Sequence, residues 1–121
     1  MDSQENAPKP DPRDKLDYLE YAYLPPGSNE PVPCDRATFQ RWWDKQPDWY
    51  WKKQDTVGPF DVATRFIGID PHFSAPPLWW EVSIQESFRS CSHRYFATLE
   101  QALKRHSELV TSLEAGVLEE V

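Results

Sequence analysis

Apolar residues recur at two different periods along the chain, and the change of period divides it into predicted elements. Phe39, Trp42 and Trp43 stand three and four positions apart, which is helical spacing. Asp35 precedes them and belongs to the residue types that cap helices. We therefore expect a short helix over residues 36–46. Its aromatic stripe is expected to pack in the core rather than form an exposed platform for a ligand.

A period of two begins near residue 49 and is typical of β-strands. A turn at residues 55–59 and a Pro-containing loop at 71–77 separate the apolar runs. The predicted strands are residues 49–54, 60–69 and 78–85, with a short fourth at 93–96. The positions expected to face the core are Phe60, Val62, Thr64, Phe66, Leu78, Trp80, Val82 and Ile84. This alternation predicts an antiparallel sheet that is covered on one face.

A second amphipathic helix is predicted near the end of the chain. Thr98 is followed three residues later by Gln101, and the two form a capping box. Apolar residues then repeat at helical spacing as far as Leu113, and His106 lies on the same face. Gly116 is expected to end this helix in a left-handed conformation.

The pattern of the N-terminal part is less regular. Residues 1–14 are polar and rich in proline, which predicts a flexible arm. Residues 15–24 fit both a helix, with Leu16 and Tyr23 on one face, and a strand, with Tyr21 and Tyr23 on one face. We favour the extended form, because tyrosine is common in strands and two prolines follow.

Together these elements predict one α+β domain over residues 15–116. Its expected architecture is an antiparallel three- to four-stranded meander flanked by two amphipathic helices, arranged as a two-layer sandwich. Residues 117–121 are expected to form an acidic tail. The chain has 121 residues, which is sufficient for a single domain of this kind.

The charge of the chain limits the classes of partner. Its formal net charge is −7. This disfavours nucleic acids and anionic membranes, because both are bound mainly through Lys and Arg. No secretory signal and no membrane-spanning apolar run is evident, and Cys34 and Cys91 fit no metal or redox spacing. We therefore expect a cytoplasmic protein that binds another protein, with its oligomeric state left open.

Asp70 and His72 are the candidates for a metal site. They follow the second predicted strand, where Glu81 or His106 would complete a set of ligands such as zinc takes. However, an aspartate before a proline is a common turn residue, and His106 lies on an apolar helix face, where a packed core histidine is the simpler interpretation. We therefore expect neither a metal nor another cofactor.

Catalytic motifs are not evident in the sequence. The chain has only 4 glycines, which disfavours a Gly-rich loop for phosphate. No nucleophile occurs in a motif that would supply it with a base and an oxyanion hole. The sequence therefore leaves catalysis open but favours a protein without enzymatic activity.

The outer face of the predicted sheet is the candidate binding surface. Arg65 and Glu81 project from adjacent strands and are expected to pair. Trp79 and Trp80 point to opposite faces of one strand, so both cannot enter the same core. An ordinary solvated face, or one covered by the N-terminal segment, is the simpler interpretation. The candidate binding residues are Arg65, Ile67, Trp79, Glu81, Tyr21 and Tyr23.

Several short blocks of sequence occur in a recognisable order between residues 42 and 110. They are Arg65-Phe66-Ile67-Gly68-Ile69-Asp70, Pro76-Pro77-Leu78-Trp79-Trp80-Glu81 and Arg94-Tyr95-Phe96-Ala97-Thr98. In this order they resemble a family of short uncharacterised proteins from bacteria and their phages or prophages. The chain departs from the family's Asp-His pair, because Pro71 separates Asp70 from His72. The resemblance implies a small accessory protein in a bacterial or phage setting and brings no established activity.

These observations lead to one expected function and two alternatives. We expect a small acidic accessory protein of the cytosol that binds another protein, for example as an inhibitor of a host system. The first alternative is a metal-binding protein or enzyme centred on Asp70, His72 and Glu81. The second is nucleic-acid binding, because the order of helix, three strands and helix resembles a double-stranded RNA-binding domain. The negative charge and the acidic start of the last helix disfavour it.

Overall fold

The computed structural model describes residues 20–45, 51–70, 74–87 and 89–121. Within these ranges the chain forms two α-helices and seven β-strands. The helices are α1 (Arg36–Asp44) and α2 (Leu99–Glu114). The strands are β1 (Glu20–Tyr23), β2 (Val32–Cys34), β3 (Trp51–Val57), β4 (Phe60–Phe66), β5 (Ile69–Asp70), β6 (Trp80–Glu86) and β7 (Arg89–Phe96). The predicted arm at 1–14, residues 15–19 and His72 lie outside the described residues. Neither described helix is long and apolar enough to cross a lipid bilayer.

A four-stranded antiparallel sheet with the order β3-β4-β6-β7 confirms the predicted α+β meander. The first hairpin is tighter than predicted, because residues 55–57 belong to β3 and Val57 already pairs with Phe60. Gly58, between them, has φ +59°, a left-handed conformation that suits a two-residue hairpin turn. The predicted short strand at 93–96 extends over the whole of β7.

One face of this sheet, here called the inner face, is buried against α2. The predicted alternation is confirmed from Val62 to Phe66 and from Trp80 to Ile84, where every second residue is buried on this side. The hydroxyl of Thr98 accepts a hydrogen bond from the Gln101 backbone N–H at 3.1 Å, as the capping box predicts. The helix residues buried against the sheet are Ala102, His106, Leu109 and Leu113.

A second, three-stranded sheet with the order β2-β1-β5 lies beside the first. The predicted strand at 60–69 is divided between the two sheets, because the chain leaves β4 after Phe66 and joins β1 as β5. Gly68 lies at this crossing with φ +68°, and its carbonyl accepts a hydrogen bond from the Ala22 N–H at 2.9 Å. The crossing therefore joins the two sheets through the backbone itself.

Helix α1 begins where the sequence predicts, because the Asp35 carboxylate accepts a hydrogen bond from the Thr38 backbone N–H at 2.8 Å. Phe39 and Trp42 are buried, and the indole N–H of Trp42 donates to the Leu24 carbonyl at 2.9 Å. Trp43 departs from the expected core stripe and is 36% exposed. Helical spacing thus identified the buried pair but assigned one Trp too many to the core.

The residues after α2 return to the body of the domain. The Arg105 guanidinium donates to the Glu120 carbonyl at 2.7 Å, and the backbone N–H of Val121 donates to the Ser92 hydroxyl at 3.0 Å. Val121 itself is buried. The acidic segment predicted as a tail is therefore held against α2 and β7.

Candidate functional site

A groove of about 360 Å³ lies on the outer face of the four-stranded sheet, opposite α2. We call it the outer-face groove. Its apolar walls are formed by Trp43, Ile67, Ile69, Leu78 and Tyr95. Arg65, Glu81 and Asp70 supply its polar groups. An apolar cleft of this size with a few polar groups has the general form of a ligand or partner site.

The register of the sheet places four of the outer-face side chains in one row. Trp51 pairs with Arg65, Arg65 pairs with Glu81, and Glu81 pairs with Tyr95 across β3, β4, β6 and β7. Residues directly opposite on neighbouring strands have their Cβ atoms about 4.5–5.5 Å apart, so these side chains are brought into contact. The row spans the whole width of the sheet and forms one border of the outer-face groove.

The ion pair predicted between Arg65 and Glu81 is present in this row. The Arg65 Nε donates to Glu81 Oε1 at 2.7 Å, and the two side chains are 35% and 11% exposed. The guanidinium carbon also lies 5.6 Å from the centre of the Trp51 ring. Glu81 is thus nearly buried while Arg65 stays partly open to the groove, and the cation is held on two sides.

Tyr95 forms the next position of the row and is influenced by the same ion pair. Partial burial raises the pKa of its phenol, and the negative charge of Glu81 raises it further, while the positive charge of Arg65 opposes the effect. The neutral phenol also hydrogen-bonds the Glu81 carboxylate, which is a further cause of its raised pKa.

A polar depression of about 240 Å³ continues from the groove along the same face. It shares Arg65, Glu81 and Trp51 with the row described above. Its remaining lining consists of hydroxyl, amide and imidazole side chains, from Ser83, Gln85, Ser90 and His93. The outer face therefore has an apolar end and a polar end, with the Arg65–Glu81 pair between them.

The structure brings together only part of the predicted binding set. Arg65, Ile67 and Glu81 all line the outer-face groove. Tyr21 instead belongs to β1 of the three-stranded sheet and Trp79 lies next to that sheet, and both are buried, at 7% and 8% exposure. Tyr23 is half-buried and packs against the core. Neither member of the Trp79–Trp80 pair is exposed, and both belong to one hydrophobic cluster, so the expectation that they could not enter the same core is wrong.

Four lining residues of the groove are not among the predicted site residues, namely Trp43, Ile69, Leu78 and Tyr95. Leu78 was expected in the core, Trp43 was assigned to the helix stripe, and Tyr95 was placed on a short strand without a role. The position of Tyr95 opposite Glu81 follows from the register between β6 and β7, which the sequence alone does not fix. Trp43 gave no usable signal either, because spacings of three and four residues are those of an ordinary buried helix face.

Of the residues proposed for a metal site, Asp70 and Glu81 line the same groove, whereas the fold separates His106 from them. Asp70 is buried and its Oδ2 accepts hydrogen bonds from the backbone N–H groups of Ser74 at 2.8 Å and Leu78 at 3.3 Å. His106 lies on the opposite, inner face of the sheet, and His72 is outside the described residues. The described part of the chain contains no group of three or more potential metal ligands. Asp70 therefore acts here as an anchor for the loop before β6.

His106 is held in a buried chain of hydrogen bonds that resembles a catalytic arrangement in its residue types alone. Its Nδ1 lies 2.7 Å from the Thr64 hydroxyl and its Nε2 lies 2.7 Å from Asp55 Oδ2. Burial lowers the pKa of the imidazole, and the neighbouring Asp55 carboxylate opposes this shift. Thr64 and His106 are both 0% exposed, so no substrate reaches the hydroxyl. The chain of hydrogen bonds is structural.

No family model, curated protein or solved structure matches this chain. The geometry of the outer-face groove is therefore the basis for a proposed function. Among its described lining residues there is one cation, two carboxylates and several aromatic and aliphatic side chains, but no Ser, Cys or Lys beside a base.

Proposed function

We propose that this protein is a protein-binding module and that the outer-face groove is the centre of its binding surface. The observation that carries the proposal is the convergence of Trp43, Tyr95 and Arg65 on one groove. Trp, Tyr and Arg are the residue types that dominate the binding energy at the centres of protein interfaces. The nearly buried Glu81 fixes Arg65 in place, which lowers the entropy lost when a partner binds.

The setting of this activity is part of the same proposal. The net charge of −7 favours a partner with a basic surface, because opposite charges accelerate association. Cys34 and Cys91 are both free thiols, which is consistent with the reducing cytoplasm. We propose an accessory protein of bacterial or phage origin that acts on a host protein, for example as an inhibitor. The sequence resemblance supports this setting.

A capture experiment with matched variants tests the proposal. Ile67→Glu places a charge on the wall of the groove, whereas Leu118→Glu makes the same change at a residue that is 51% exposed in the C-terminal segment. We expect one stoichiometric partner from the native host lysate with the unchanged protein and with Leu118→Glu. We expect its recovery to fall about tenfold or more with Ile67→Glu, as for the loss of an interface anchor.

The folded state of each variant is checked first by thermal melting. Trp43→Ser provides a second groove variant if Ile67→Glu fails to fold, because Trp43 is already 36% exposed. Equal recovery of the partner with groove and control variants would contradict the assignment of the surface. Recovery of no partner by the unchanged protein would contradict the binding module itself.

A further inference from the structure

Within the described residues, the contacts of Arg65 involve one side of its guanidinium group. Its Nε donates to Glu81, and its planar group lies near the Trp51 ring. In the described part of the chain, these contacts leave the two terminal nitrogens, Nη1 and Nη2, without an acceptor. The side chain is 35% exposed and borders both the outer-face groove and the polar depression. The two terminal nitrogens therefore face the outer-face groove and the polar depression, where a partner would lie.

From this geometry we infer that the groove captures the carboxyl-terminal residue of a partner protein, and that this residue has a large apolar side chain. The inference rests on the proposed function and names the chemistry of the bound segment. The two terminal nitrogens of an arginine donate parallel hydrogen bonds to both oxygens of one carboxylate. Glu81 occupies the Nε side, so the end of the fork is the part that remains for the partner.

The apolar part of the ligand follows from the walls of the groove. Ile67, Leu78 and Tyr95 line the same cavity as Arg65, together with the carboxylates of Glu81 and Asp70. The carboxylate and the apolar group of the ligand must therefore lie close together. A carboxyl-terminal residue carries both on one Cα atom. The cavity of about 360 Å³ lies at the small end of the usual range for ligand sites, about 300–1,000 Å³, and suits a single large side chain.

The charges around Arg65 favour a singly charged carboxylate over a phosphate group. Glu81 lies 2.7 Å from the Arg65 Nε and offsets much of its positive charge. The chain as a whole carries a net charge of −7. Both repel a doubly charged phosphate about twice as strongly as a singly charged carboxylate, and the carboxylate gains two short hydrogen bonds for one negative charge. Basic residues elsewhere on the partner then supply the long-range attraction.

The polar depression gives the bound segment a direction. Ser83, Ser90 and His93 lie beyond Arg65, on the side away from the apolar walls. Their side chains supply donors and acceptors for the backbone of the residues that precede the carboxyl terminus. The partner's chain is thus expected to cross the polar depression first and to end at Arg65.

Short peptides test this inference directly on the full chain. The probes are acetyl-Gly-Ser-Gly-Phe with a free carboxylate, the same peptide as its carboxamide, and acetyl-Gly-Phe-Asp-Gly-amide with an internal carboxylate. Binding is followed by NMR titration of the Arg65 and Tyr95 signals. We expect the free acid to bind about tenfold or more tightly than the carboxamide, which is the usual contribution of a hydrogen bond to a charged group.

Two arginine variants identify the group that binds the carboxylate of the peptide. Arg65→Lys keeps the positive charge and removes the two parallel donors of the guanidinium group. The ratio of the affinities for the free acid and for the carboxamide should therefore fall towards one. Arg94→Lys is the matched control, since Arg94 is an exposed residue of β7 that lies near Phe96 and not in the groove. It should leave the preference unchanged.

Three outcomes would overturn the inference. They are equal binding of the acid and the carboxamide, tighter binding of the internal aspartate peptide, and the absence of shifts at Arg65 and Tyr95 with all three probes. Each is distinguishable from failure of the proposed function. A host partner that is captured by the unchanged protein and lost with Ile67→Glu would still establish the groove as a protein-binding surface of different specificity.

Discussion

The role of a polar residue in this fold depends on its hydrogen-bond partners and not on its residue type. Asp70 and Glu81 are both buried carboxylates, yet Asp70 accepts from backbone N–H groups of a loop and Glu81 accepts from the Arg65 side chain. The first contact fixes the chain and the second orients a side chain at the surface. Burial alone therefore does not distinguish a structural carboxylate from one that organises a site.

The buried His106 makes stability depend on pH. Burial lowers the pKa of the folded imidazole below its usual value of 6.5, while Asp55 raises it and Lys53 lowers it further. The unfolded chain therefore binds a proton at a higher pH than the folded chain does, so stability is greatest above the unfolded pKa and declines as the pH falls towards the folded pKa. We expect the free energy of unfolding in urea to decrease from about pH 7.5 to about pH 5.5.

Two histidine variants isolate the origin of this decrease. His106→Gln removes the titrating group and should abolish the slope over the same pH range, although it lowers stability at every pH because Thr64 loses its partner. His93→Gln, at an exposed position on β7, should keep the slope. A slope that persists in His106→Gln would contradict the assignment.

At the scale of elements, the crossing from β4 to β5 decides how the two sheets are joined. Gly68 approaches the backbone of β1 so closely that an added Cβ would lie 2.6 Å from the Ala22 carbonyl oxygen and 2.6 Å from Phe39. The close approach of Gly68 to β1 allows the hydrogen bond from the Ala22 N–H to the Gly68 carbonyl. It also brings Trp42 of α1 against Phe66. A side chain at residue 68 would push β1 and α1 away from the crossing.

Replacing two glycines measures how tight this crossing is. Gly68→Ala and Gly58→Ala both place a Cβ at positive φ, at +68° and +59°, but Gly58 has nothing within 4 Å of the new atom. We expect Gly58→Ala to lower the free energy of unfolding by about 1 kcal/mol and Gly68→Ala by about 3 kcal/mol or more, because only the second adds overlap with the backbone. Urea denaturation measures both, and equal losses would contradict the close approach.

At the scale of the whole molecule, the two sheets share one hydrophobic core. Tyr21 and Ala22 of the smaller sheet belong to the same cluster as Val82 and Ile84 of the larger one. Phe66 connects them, with its ring centre 5.7 Å from that of Trp42 in α1 and 5.1 Å from that of Trp80 in β6. The sheets are therefore layers of a single packed unit.

A shared core predicts that both sheets unfold together. We expect a single transition in urea, with the same midpoint when followed by tryptophan fluorescence and by far-ultraviolet circular dichroism. The fluorescence reports on Trp42 and Trp80 in the core, and the dichroism reports on the helices and strands. Two separate midpoints would show that one sheet unfolds without the other.

The sequence by itself determined the elements that depend on neighbours a few residues apart. Asp35 and Thr98 cap the helices where their positions predict, because a cap contacts the next turn of the same helix. The alternation from Phe60 to Phe66 predicts the buried face of β4, because side chains in a strand alternate by geometry. The α+β class and the antiparallel meander followed from these local patterns. The pairing of Arg65 with Glu81 followed as well, because the two strands are adjacent.

Only the tertiary structure decided where the remaining site residues lie. The second sheet pairs β1 with β5, which comes from a distant part of the chain, and it buries Trp79 on a side that alternation could not assign. The groove depends on the approach of Trp43 from α1 and on the register that places Tyr95 opposite Glu81. These contacts join residues distant in sequence, so no local period encodes them. Their positions are set by how the core as a whole fills its space.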